Sequence, residues 1–171
     1  MPSALASELQ TVINAGPAPS PSFKGLTAAS PASSRAKRMN HSSDTTHECL
    51  LRTLLWRRGL RYRKNVSTLP GKPDIVFFSS KVAIFCDGDF WHGKDWNELS
   101  RKLSTGANAS YWLRKIEANR NRDLRNNQLL HMEGWIVVRL WETDIRKDPD
   151  KAVRAIEELV RFRSRGCHAI H

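Results

Sequence analysis

The sequence predicts an α/β domain in which a mixed β-sheet is flanked by α-helices. Two short apolar runs, "DIVF" and "VAIFCD", stand on either side of a Ser-Ser turn. A third, "WIVVRLWE", follows a long helical stretch. Amphipathic helices precede the first run and follow the last, so the sheet has helical layers to pack against.

The first helix is read from "SSDTTHECLLRTLLWRRG". Ser43 or Asp44 can cap its first turn, Gly59 can take the left-handed position at its end, and Leu50, Leu51, Leu54 and Leu55 form an apolar stripe. "LRYRKNVSTLPGKP" runs on as an extended or turn segment broken at Pro70-Gly71. Ile75–Phe78 and Val82–Phe85 are apolar throughout, which predicts strands covered on both faces and joined by Ser79 and Ser80. Phe90 to about Ala109 is rich in Gly, Asn and Ser and reads as a loop. Residues 110–134 form a long helix ended by Gly134, with Leu113, Ile116 and Leu124 facing the core. "DPDKAVRAIEELVRF" is the last helix, with Asp148 as cap and Pro149 at its first position.

Composition narrows the function. The 171 residues carry 28 Lys and Arg against 17 Asp and Glu, a net charge of +11. Such a balance favours a polyanionic partner, nucleic acid first and an anionic membrane surface second. Three scattered cysteines, Cys49, Cys86 and Cys167, give neither a disulfide framework nor a zinc site, which fits a reducing cytoplasm. No apolar run approaches the roughly 20 residues of a membrane span. The N-terminus lacks the basic flank and apolar core of a secretory signal.

Residues 1–34 read as a Pro-, Ala- and Ser-rich tail that cannot bury enough surface to order itself. Its only charges are Glu8 and Lys24, so the excess of positive charge belongs to the remainder. "SRAKRM" opens the charged part, as a DNA-ordered arm or a solvated linker. The folded domain is assigned to 35–163, with 164–171 as a C-terminal tail.

The chemistry gathers at strand ends. Asp74 opens one strand and Asp87 closes the next, so a hairpin brings them together. Two neighbouring carboxylates are costly unless a cation lies between them, and Mg²⁺ accepts hard oxygen ligands in a way that suits phosphodiester hydrolysis. Glu48, on the first helix, could hold a water of such an ion. His92, five residues past Asp87, could serve as general base or as general acid for the departing 3′ oxygen. Phe90 and Trp91 sit outside any apolar periodicity and could stack on bases or wedge between base pairs. On the long helix Trp112, Asn119 and Asp123 lie at i, i+7 and i+11, within about 20° of one stripe. That stripe presents a further wedge aromatic, a polar contact and a carboxylate.

"LPGKPDIVF", "VAIFCDGDFWHG", "YWLRKIEANRNRD" and "GWIVVRLWE", with "RMNHSSDTTHE" before them, resemble the very-short-patch repair (Vsr) endonucleases in order and spacing. The resemblance runs from about Ser34 to Ile145. It implies a restriction-endonuclease-like fold related to the PD-(D/E)xK nucleases. It also implies Mg²⁺-dependent nicking of one strand of duplex DNA beside the T of a T:G mismatch, of the kind left by 5-methylcytosine deamination. A monomer acting at the nucleoid, with MutL-type repair proteins as partners, is implied as well.

Carried over by position, Asp74 matches the metal-binding aspartate and Cys86 the residue whose carbonyl touches metal. Glu48 matches an acid contacting metal-bound water, His92 the catalytic histidine, and Asp123 the acid orienting a histidine. Phe90, Trp91 and Trp112 match the intercalating aromatics, and Met39 a residue of the arm that enters the minor groove. Lys72 and Asn119 are assigned to DNA contact.

This chain departs from the pattern at three places: the proline-rich tail before residue 34 has no counterpart in it, and two positions differ within the domain. Asp89, Lys94 and Trp96 stand where members carry zinc ligands, so no structural zinc is expected; Trp96 packing or an Asp89–Lys94 pair is expected to hold that segment instead. Asp87 stands where some members have a histidine, and is expected to bind metal directly. A related restriction or mobile-element endonuclease, or a non-catalytic module that binds mismatches, are the alternative readings.

Overall fold

The computed structural model describes residues 44–166 and, apart from them, Pro21. The tail, the basic arm with Met39, the candidate cap Ser43 and residues 167–171 lie outside the described residues.

Helix α1 (Thr46–Arg57) begins one residue later than its sequence signals imply, with Thr45 at the cap position. Glu48 folds back over the first turn, where Thr45 Oγ1 and the Asp44 amide donate to its two oxygens at 2.7 and 2.9 Å. Both bonds run to Glu48, so they fix its carboxylate over the helix start, while the Thr45 side chain makes no capping bond to the first-turn amides. Gly59 follows the helix at φ 79° as expected. Leu51 and Leu55 are fully buried, but Leu50 lies on the exposed edge of the stripe.

The sheet has the order β1-β2-β3-β4, from β1 (Arg63–Lys64), β2 (Ile75–Phe77), β3 (Val82–Asp87) and β4 (Ile136–Trp141). The first three strands are antiparallel and β4 runs parallel to β3. Every residue of β2 and β3 is buried, as their unbroken apolar runs require.

Alternation along β3 divides the core. Val82, Ile84 and Cys86 join Leu51 and Leu55 of α1 and Val153, Ile156 and Val160 of α6 (Pro149–Gly166). Ala83 and Phe85 face the other way, against Leu130 of α4 (Ala109–Met132) and Trp135. Asp87 continues that second set, so the strand delivers a carboxylate to the α4 face at its C-terminal end.

Residues 90–109, expected to be irregular, are largely helical among the described residues. The short α2 (Asp89–His92) and α3 (Trp96–Ser104) occupy them. Gly93 separates the two at φ 72°. The polar composition that suggested a loop belongs instead to helices packed shallowly on the surface, none of whose residues is buried. Leu124 also departs from expectation: it is 55% exposed, while Asp123 and Asn127 are the α4 residues that meet Arg139 of β4. Helix α5 (Glu142–Lys147) directly follows β4, and Asp148 caps α6 by accepting from the Lys151 amide at 2.9 Å.

Candidate active site

A cavity of about 580 Å³ opens at the C-terminal end of β3. Helix α1 contributes Glu48 and His47, the turn before β2 contributes Lys72 and Asp74, and β3 contributes Cys86 and Asp87. Helix α2 adds Trp91 and His92, and α4 adds Asn119 and Asp123. Residues as far apart as His47 and Asp123, 76 positions in the chain, therefore share one cavity, as hairpin pairing and the parallel crossover demand.

Asp74 lies where the β2–β3 hairpin places it. Its amide donates to the Ile84 carbonyl at 2.9 Å, and its Oδ2 accepts from the Cys86 amide at 2.7 Å. Burial raises its pKa to about 6 despite that hydrogen bond, and the charges of Glu48 and Asp87 add to the rise. Among the described residues no hydrogen-bond donor is seen on Oδ1. Cys86 turns its thiol into the α1–α6 core, where burial pushes the thiol pKa up. Cys86 also lines the cavity, and its amide is held by Asp74. A buried carboxylate under electrostatic stress suits a hard cation that keeps part of its water shell. Among the described residues, no three His, Cys, Asp or Glu side chains gather as a ready-made metal cage.

The direct metal contact expected of Asp87 does not fit its surroundings. Both of its oxygens accept from Arg139, at 2.6 and 2.9 Å. Burial, the largest single influence, would lower the Arg139 pKa; the hydrogen bonds and charges of Asp87 and Asp123 together outweigh it and the net shift is upward. Arg139 was hidden in the sequence because it interrupts an otherwise apolar strand run, where a buried partner had to be known before it could be placed.

His92 and Asp123 are 31 residues apart and meet at 2.6 Å between Nδ1 and Oδ2. An ionised carboxylate can only accept, so Nδ1 carries the proton, and in the neutral ring Nε2 is the nitrogen with the free lone pair. Asp87 Oδ1 lies 3.6 Å from the same Nδ1.

Phe90, Trp91 and Trp112 form one aromatic group, with ring centres 5.2 to 5.9 Å apart. They belong to neither hydrophobic core, and Phe90 is 37% exposed. The rings sit on helices rather than on a loop, which fixes their backbone directions. Asn119 does not project as a free contact: it is 6% exposed and its Nδ2 donates to the Trp91 carbonyl at 2.9 Å. It braces the aromatic turn. Lys72 is exposed at the cavity rim with φ 54°.

At the positions where zinc ligands were considered, the contacts are polar and aromatic. Lys94 pairs with Asp144 at 2.8 Å rather than with Asp89, and Asp89 Oδ1 accepts from the Thr143 amide at 3.4 Å. Trp96 packs under the Arg120 guanidinium, 5.1 Å from the ring centre. His47, not singled out by sequence, is buried in the cavity wall 3.9 Å from Glu142, and its Nδ1 has no hydrogen-bond partner.

Comparison with known proteins adds to the geometry. Residues 30–98 match the family described as DNA mismatch endonuclease Vsr. A type II nicking enzyme of Haemophilus parainfluenzae, V.HpaIIP, is 43% identical over 124 residues, 72% of this chain and 86% of that one. V.NmeDIP, a type II nicking enzyme of Neisseria meningitidis serogroup C, is 43% identical over 122 residues, 71% and 81% of the two chains. The DNA mismatch endonuclease Vsr of Escherichia coli K12 is 35% identical over 103 residues, 60% and 64% of the two chains.

Proposed function

The chain belongs to the Vsr family and is a DNA endonuclease, and from that premise we propose that it nicks one strand of duplex DNA beside the T of a T:G mismatch, with Mg²⁺ as cofactor. The observation that carries the reading is the His92–Asp123 pair beside Asp74 in one cavity, with half-exposed aromatics at its edge.

Phosphate contacts from the basic surface, Lys72 among them, hold the duplex in register. Phe90, Trp91 and Trp112 enter the base stack, a step that costs least where pairing is already weak. Asp74 and the Cys86 carbonyl would hold the Mg²⁺, which when bound supplies charge neutralisation at the scissile phosphate. Glu48, fixed at the start of α1, orders water beside them. His92 Nε2 takes the proton from the attacking water, and Asp123 keeps the ring in the tautomer that can do so. Met39 on the N-terminal arm approaches from the minor groove. The enzyme works as a monomer at the nucleoid, with MutL-type repair proteins as partners.

Nicking of T:G, A:T and G:C duplexes of one sequence, with Mg²⁺ or EDTA, tests this directly. The T:G duplex alone is expected to be cut, and only with metal. Asp74→Ala is expected to lose cutting while still binding the duplex; full metal-dependent nicking by that variant would remove the site assignment. A second reading, nicking at a recognition sequence without a mispair, is favoured by relatives that are named type II nicking enzymes. Equal cutting of the paired and mispaired duplexes would establish it.

A further inference from the structure

Arg139 lies on β4 opposite Phe85, and its guanidinium engages protein on all three nitrogens. Nε and Nη2 donate to the two oxygens of Asp87. Nη2 also lies 3.1 Å from Asp123 Oδ1, and Nη1 donates to Asn127 Oδ1 at 3.0 Å. The Phe85 ring supports the group 4.5 Å away.

The two acids that Arg139 joins are the same two that approach His92 Nδ1, at 2.6 Å from Asp123 and 3.6 Å from Asp87. Two carboxylates converging on one imidazole nitrogen repel each other and drift apart unless a cation sits between them. A planar guanidinium removes the repulsion and also fixes both carboxylate planes, which a lysine ammonium cannot do. One acid comes from the end of β3 and the other from α4. The bridge thus sets the distance between sheet and helix at the point where His92 rests.

We propose that Arg139 is the positioning residue of this active site: it joins Asp87 and Asp123 into one rigid unit that holds the His92 ring in its working orientation. This deepens the endonuclease reading and rests on it, because His92 is there the group that handles the proton. It also gives Asp87 a role: the acid anchors the bridge.

The test combines ¹⁵N NMR of histidine-labelled protein with single-turnover nicking by wild type, Arg139→Met, Arg139→Lys and Arg139→Ala. Wild type is expected to show His92 as a single Nδ1–H tautomer. Arg139→Met is expected to mix the tautomers and to cut about 10–100-fold more slowly, with duplex affinity close to wild type. Lysine should recover only part of the rate, and free guanidinium ion should partly rescue the alanine variant. If Arg139→Met proves unfolded, the lysine and alanine variants carry the same readings. A wild-type His92 signal in the folded variants, or a loss confined to duplex affinity or melting temperature, would overturn the proposal. Failure of wild type to nick any duplex would instead count against the endonuclease chemistry, and the tautomer signal would still decide the role of Arg139.

Discussion

His92 and Asp123 show how a side chain is prepared by its neighbour. At 2.6 Å the carboxylate selects the tautomer with Nε2 unprotonated. Asp123→Asn keeps the shape but can present a donor to Nδ1, which favours the wrong tautomer. Nicking is expected to fall by about 10²-fold or more, with duplex binding retained; rate constants against Kd would show it. Asp74 makes a different prediction. Its folded pKa of about 6 lies above the ordinary value of 3.8, so ionising it opposes folding. The cost is absent below about pH 4, grows between pH 4 and 6, and is fully present above 6, where it reaches roughly 3 kcal/mol. Metal-free protein should therefore lose melting temperature across that window. Mg²⁺ should restore it at pH 7.5 and have little effect at pH 4.5; the reverse pattern would exclude Asp74 as the ion's carboxylate. Asp74, Asp87 and His92 could be singled out because two strand-end acids and a histidine fall close together in the chain, and Asp123 because it shares a helical stripe with Trp112. For Asp87 and Asn119 the sequence could not name the partner: each is buried against a residue, Arg139 or Trp91, that only folding brings near.

Among the elements, α2 is the most consequential. It has only four residues, yet it carries Phe90, Trp91 and His92. Its end depends on Gly93: a Cβ there would meet Arg120 Cδ at 2.9 Å and Ile116 Cγ2 at 3.0 Å, at a φ of 72°. Gly93→Ala is expected to destabilise the protein by about 1–3 kcal/mol and to slow nicking beyond what stability explains, because the His92 ring moves with the turn. Thermal melting read beside the rate separates the two effects, and an unaffected rate would show that α2 has another anchor. Asn119 holds the same turn from α4 through the Trp91 carbonyl. Helix α2 escaped the sequence because four residues are too few to show a period; α3 does carry an apolar stripe, Trp96, Leu99 and Leu103 at i, i+3 and i+7, but the Gly, Asn and Ser around it read as loop.

For the whole molecule, the charge of +11 surrounds a site that is itself acidic. The surface draws in the polyanion, and the cavity keeps a small group of carboxylates that bare phosphate would avoid. Duplex affinity is accordingly expected to be steeply salt-dependent, falling by at least about 10³-fold between 50 and 200 mM salt if six or more phosphates are contacted. Fluorescence anisotropy across that range would measure it, and a flat response would place the main contacts on bases. No helix among the described residues is long and apolar enough to cross a membrane.

The sequence by itself determined the mixed sheet, its two buried central strands, the long helix behind them and the identity of the chemical groups. Each of these is written in local periodicity or in residue type, which neighbours in the chain can specify. Tertiary structure alone decided that Asp87 is bound to Arg139, that Asn119 braces Trp91 and that Lys94 turns to Asp144. Those outcomes depend on pairings across 28 to 52 positions. A polar side chain's role there is fixed by whichever partner burial brings within hydrogen-bond reach.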